Sequence, residues 1–159
     1  MKRLSVFAFA VAGISLLALG TGVLAADSNI GTWKLNLAKS KYSPGPAPKS
    51  QTLKIEALGA NGVKYTSDGA DADGKPTHTA FQAQYDGKPN PFTGMADADM
   101  ISYKRIDANT VESTTTLKGK PAVVSKAVVS ADGKTRTLTQ IGVNAKGEKV
   151  NNVLVYEKQ

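Results

Sequence analysis

The stretch Ile30-Gly31-Thr32-Trp33-Lys34-Leu35-Asn36 decides how this chain is read. It carries the only Trp of the 159 residues and stands at the head of a long series of strand-and-turn units. Gly lets a neighbouring chain approach the backbone closely. The indole two residues on covers a large apolar area and keeps one polar edge. Such a pair on the first strand of an all-β chain can plug one end of a barrel.

Before that stretch lies a segment with the marks of an export leader. Met1-Lys2-Arg3 is a short basic head, Leu4 to Leu19 an apolar run, and Val23-Leu24-Ala25-Ala26 supplies small residues for cleavage near Ala25/Ala26. The run is shorter than the roughly 20 residues a membrane-spanning helix needs. Polar Asp27-Ser28-Asn29 follows at once. We therefore expect a signal peptide over 1–25 and a single domain over 26–159, periplasmic or secreted, with no membrane insertion of the mature chain.

Removing Lys2 and Arg3 with the leader takes the formal charge from +7 to +5. What remains is single Lys residues scattered among Asp and Gly, which favours solubility. Nucleic-acid binding wants clustered basic residues with interleaved aromatics, and Arg105 and Arg136 are the only arginines after the leader. With no Cys, stability must come from sheet closure and core packing.

Downstream of the first strand, read as Gly31 to Leu37, the segment from Ala38 to Pro48 holds Pro44, Gly45, Pro46 and Pro48. Those residues forbid a continuing strand or helix. A long connection follows, opening with a helical turn and crossing one end of the sheet. From Ser50 the text alternates with period two. Leu53, Ile55 and Ala57 share one face, then Val63 and Tyr65, then Thr79, Phe81, Ala83 and Tyr85. Asp68 to Lys75 and Asp86 to Lys88 read as turns, and Pro89 to Met95 as a longer loop. Ile101, Tyr103 and Arg105 alternate with Ser102 and Lys104. Further strands run over Val111 to Leu117, Val123 to Ser130, Thr135 to Gly142 and Lys149 to Lys158. Ala131-Asp132-Gly133-Lys134 repeats the turn recipe of Ala72-Asp73-Gly74-Lys75, which recurrence of Asp-Gly hairpin chemistry explains.

The expected fold is all-β: a closed antiparallel up-and-down barrel of about 8–9 strands, since strands joined by short turns form a meander and closure removes its edges. No stretch carries helical periodicity. A transmembrane barrel would need apolar outer bands and aromatic girdles, whereas the outer faces here hold Lys, Gln, Glu and Thr.

Gly31-x-Trp33 on the first strand, followed by a meander of this size, resembles the lipocalin and fatty-acid-binding (calycin) group, in particular its small exported bacterial members. The resemblance implies that Trp33 closes one barrel end under a basic side chain from a late strand, for which Arg136 and Lys158 are both candidates. The Thr-Asp-Tyr segment of a mid-barrel turn, another lipocalin block, is missing. The resemblance also implies a cup for a small apolar ligand.

Catalysis finds little support in the residues. His78 is the only His, and no Gly-x-Ser-x-Gly elbow or Cys nucleophile exists. Asp68, Asp71, Asp73 and Gly74 suggest a calcium loop, but Gly69 and Ala80 stand where ligands belong. A hydrophilic hairpin turn accounts for them. We expect no enzyme, no cofactor and no metal. Tyr103-x-Arg105 is the pair that stands out, because residues two apart in a strand face the same side. With Tyr65, Phe81 and Tyr85 it would line an apolar cup with a cationic point that holds a carboxylate, as Arg and Tyr do in fatty-acid-binding barrels. Arg105 snorkelling at the rim beside Asp107 is the competing reading. The functional expectation is binding of a small apolar or amphipathic ligand, including one that bears a carboxylate. The alternative is a protein-interaction module, an inhibitor or adaptor, whose apolar contact would be Pro91-Phe92-Thr93-Gly94-Met95.

Overall fold

The period-two alternation becomes strand after strand in the computed structural model, which describes residues 27–159. The leader expected over 1–25 lies outside the described residues. The strands are β1 (Gly31–Leu35), β2 (Ser50–Ala57), β3 (Gly62–Ala70), β4 (Pro76–Gln84), β5 (Asp86–Thr93), β6 (Met100–Arg105), β7 (Thr110–Leu117), β8 (Lys120–Val129), β9 (Thr135–Val143) and β10 (Lys149–Lys158). Each pairs antiparallel with its neighbours in sequence, and β1 pairs with β10 to close the barrel. Closure leaves no free edge.

The barrel has ten strands, where eight or nine were expected. The additional one is β5, whose Pro89, Pro91 and Gly87 read as loop chemistry. Proline is tolerated in a strand where its missing N–H is not needed. Phe92 N–H donates to Asp99 O on the β6 side at 2.9 Å. By alternation positions 89 and 91 face β4, and there the ladder shrinks to Ala80↔Thr93 and Phe81↔Phe92. Two further boundaries differ from the sequence reading. β1 stops at Leu35, and a 3-10 turn over Leu37–Lys39 follows, capped by the Asn36 side chain. β3 runs on to Ala70, so the turn before β4 is shorter than Asp68 to Lys75.

After that 3-10 turn the chain rejoins β10: Lys41 and Val153 exchange backbone hydrogen bonds of 2.7 and 2.9 Å, and Asn151 N–H donates to Ser43 O at 2.7 Å. The proline-bearing segment then leads into β2, the neighbour of β1. Inside, Leu53, Ile55, Val63, Phe81, Ile101, Tyr103, Leu154 and Tyr156 form one buried core. Among the described residues no helix is long and apolar enough to cross a membrane.

Candidate functional site

The two ends of the barrel differ, and the site follows from that difference. At one end Trp33 is fully buried and its Nε1–H donates to Asn29 O at 2.9 Å. Lys158 places its ammonium 5.0 Å from the indole, within cation–π range. Gly31 makes that possible: with φ at +143°, a Cβ there would stand 2.8 Å from Lys158 Cε. Arg136, the other candidate for this place, lies instead with its guanidinium 6.0 Å from the Tyr156 ring.

Residues Asp27 to Ile30, ahead of β1, complete the closed end. The Asp27 carboxylate accepts from the Arg105 guanidinium and from the Tyr85 hydroxyl, and also from Asn29 N–H at 3.0 Å. Arg105 stacks over Tyr85 with its guanidinium carbon 4.0 Å from the ring centre. Ser28 donates to Ala108 O at 2.8 Å, tying the segment to the β6–β7 turn. Burial raises the Tyr85 phenol above its ordinary range, and the bond to Asp27 raises it further.

Above this layer the barrel holds a cavity of about 310 Å³ that reaches the opposite end, where Tyr42, Pro48 and Met95 stand at the mouth. Of the residues expected to line a cup, Tyr65, Phe81 and Tyr103 do so, whereas Tyr85 and Arg105 sit in the closed end beneath it. The cation facing the cavity is Arg136, which is 2% exposed. Its Nε–H donates to Asn29 Oδ1 at 3.4 Å, while its Nη1 has no hydrogen-bond partner. The Tyr103 hydroxyl is likewise buried without a partner. Burial pushes the Tyr103 phenol up, and Arg136 opposes that rise. Arg136 Nη1 and the Tyr103 hydroxyl are thus buried polar groups close enough for the guanidinium to act on the phenol.

Tyr42, Gln51, Ser125, Gln140 and Asn152 also line the cavity and were not singled out from the sequence. A signal existed: Gln51 precedes Leu53 and Ile55, and Asn152 lies between Val150 and Leu154, each a polar residue on an inward-facing register. Of the remaining expected residues, Phe92 and Met95 line the cavity, whereas His78, Asp68 and Asp71 lie outside it. His78 pairs its Nδ1 with Asp68 Oδ1 at 2.6 Å on an exposed hairpin. Asp71 accepts from the N–H groups of Asp73 and Lys75, a turn-capping role. Pro91 and Phe92 belong to β5, and Met95 stands at the mouth.

The chain matches no protein-family model and no curated protein sequence. Among solved structures it is similar to a redesigned β-barrel, at 14% identity over 85% of this chain and 95% of that one, with a TM-score of 0.47.

Proposed function

We propose that this chain is an exported, lipocalin-like barrel whose cavity binds a small amphipathic molecule, with the anionic end of the ligand on Arg136 and Tyr103, without catalysis. Arg136 carries the reading. A buried cation is costly unless something compensates it. Arg105 has Asp27 as its counter-ion, but among the described residues no carboxylate stands within 4 Å of Arg136. A ligand acid is the natural complement, and Tyr65, Phe81 and Ile101 offer its apolar part a wall. Export rests on the residues 1–26, and calycin kinship on Gly31-x-Trp33 with its covering Lys158.

The test is titration of the mature chain with matched pairs, such as 3-phenylpropanoic acid and 3-phenylpropanol. The acid should bind at least tenfold tighter, the effect of one charge-assisted contact. Equal binding of both would remove the Arg136 role, and binding of neither would move the function elsewhere. For export, intact-mass analysis of periplasmic material should give a first residue at Ala26 or Asp27, and a retained Met1 would refute it.

One observation favours the second reading, a protein-interaction module. Val124 and Ile141 lie directly opposite each other on β8 and β9, 55% and 61% exposed, with exposed Val128 and Val143 nearby. A partner docking on that wall would leave the cavity out of its function.

A further inference from the structure

The cavity has two unlike walls. β3 to β6 contribute stacked aromatic rings: Tyr65 and Phe81 lie 4.7 Å apart and 16° from parallel, and Tyr103 packs edge-on to Phe81 at 5.2 Å. The facing wall, from β7 to β10, sets Ser113, Thr115, Ser125, Gln140 and Asn152 among apolar Val123, Leu138, Val150 and Leu154. Three of the polar residues form a ladder across adjacent strands. Asn152 Nδ2 donates to Gln140 Oε1 at 3.2 Å, and Gln140 Nε2 donates to Ser125 Oγ at 3.5 Å. The ladder leaves one amide proton each on Asn152 and Gln140 and the Ser125 hydroxyl proton without a protein acceptor among the described residues.

An alkyl chain laid in this space would pack on the apolar side chains of both walls but desolvate the Ser125–Gln140–Asn152 ladder without replacing its hydrogen bonds. Polar groups buried in that way cost free energy, so the ladder discriminates against a saturated tail. A flat ring suits both sides: it packs against the aromatic side chains in an edge-to-face or offset contact, and hydroxyl groups along one edge replace the water that the amides and hydroxyls would hold. The volume of 310 Å³ corresponds to about ten waters at liquid density, enough for a single-ring acid.

Resting on the reading that the cavity binds an amphipathic acid, we infer that the ligand is a flat, ring-bearing acid with hydroxyl groups along one edge, and that alkyl-chain acids are selected against. The acid group lies on Arg136 and Tyr103, the ring on Phe81 and Tyr65, and the hydroxyl edge on the Ser125–Gln140–Asn152 ladder. A site built to hydrogen-bond a hydroxyl rejects the analogue that lacks it.

Calorimetric titration of the mature chain with 3,4-dihydroxycinnamic acid, cinnamic acid and decanoic acid tests this. The dihydroxy acid should bind at least tenfold tighter than either of the others. In the double variant Ser125→Ala/Gln140→Leu the advantage over cinnamic acid should shrink to under threefold, with the β-type circular dichroism retained. The comparison of the two cinnamic acids on the unaltered protein decides the matter even if that variant fails to fold. Decanoic or cinnamic acid binding as tightly as the dihydroxy acid would overturn the inference and leave the amphipathic-acid reading standing. Absence of binding by all three acids would overturn both.

Discussion

Replacing Arg136 by Met should separate binding from stability, and in opposite directions. Met keeps the length and apolar stem of the side chain while removing the charge. The hydrogen bond lost to Asn29 Oδ1 is, at 3.4 Å, a long contact. Leaving Asn29 Oδ1 without its donor costs about 1 kcal/mol. Against that, the penalty for holding a buried, unpaired guanidinium disappears, and replacing such a charge with a well-packed apolar side chain stabilises by about 1–4 kcal/mol. The ligand-free variant should therefore gain up to about 3 kcal/mol, read as a urea midpoint that rises or holds with an unchanged slope. Binding of an acid should weaken by about 1.5–3 kcal/mol, roughly 10- to 150-fold, as one charge-assisted contact is lost. The matching alcohol should keep its affinity within about twofold. Calorimetric titration beside urea unfolding measures all three quantities. A loss of stability of about 3 kcal/mol or more would refute the reasoning, because that is the signature of breaking a compensated buried pair.

Three further outcomes follow from the same geometry. Arg105→Gln should leave acid binding unchanged but lower stability by about 1–3 kcal/mol in urea, since it strips the counter-ion from a mostly buried Asp27; a selective loss of acid binding would place Arg105 in the site after all. Trp33→Ala should cost about 3–5 kcal/mol, and native Trp33 fluorescence should be blue-shifted and move red on unfolding, because the indole is fully buried. Alkali should destabilise the fold. Burial pushes the Tyr42 and Tyr65 phenols up to about 12, whereas in the unfolded chain they ionise near 10. Their contribution is therefore intact below pH 10 and lost as pH rises through 12, on the order of 3 kcal/mol for Tyr65. A tyrosinate absorbance step at pH 10 in the still-folded protein would contradict this.

Alternation along single strands was enough to identify the barrel, because the side-chain period of two depends only on local backbone geometry. It placed Leu53 and Ile55, Phe81 and Ala83, Ile101 and Tyr103, and Leu154 and Tyr156 on common faces, and those faces are the core. β5 escaped that reading. Pro89 and Pro91 are loop formers locally, and only the neighbouring β6, which accepts the remaining N–H groups, makes an extended strand the better conformation for them.

Parity says which side chains point inward but not how deep along the barrel axis each lies. Tyr103 and Arg105 share a face, yet two residues of strand, close to 7 Å, carry Arg105 past the cavity floor into the closed end. Which of the two inward arginines stays available was also beyond local pattern. Asp27 lies 78 positions before Arg105 and 109 before Arg136, and only closure of the barrel brings its carboxylate to Arg105 and Asn29 to Arg136. Charge compensation in a buried layer is a property of the assembled end of the barrel. The sequence by itself therefore determined the architecture and the inward-facing residues, while tertiary pairing alone decided that Arg136, and not Arg105, is the cation left facing the cavity.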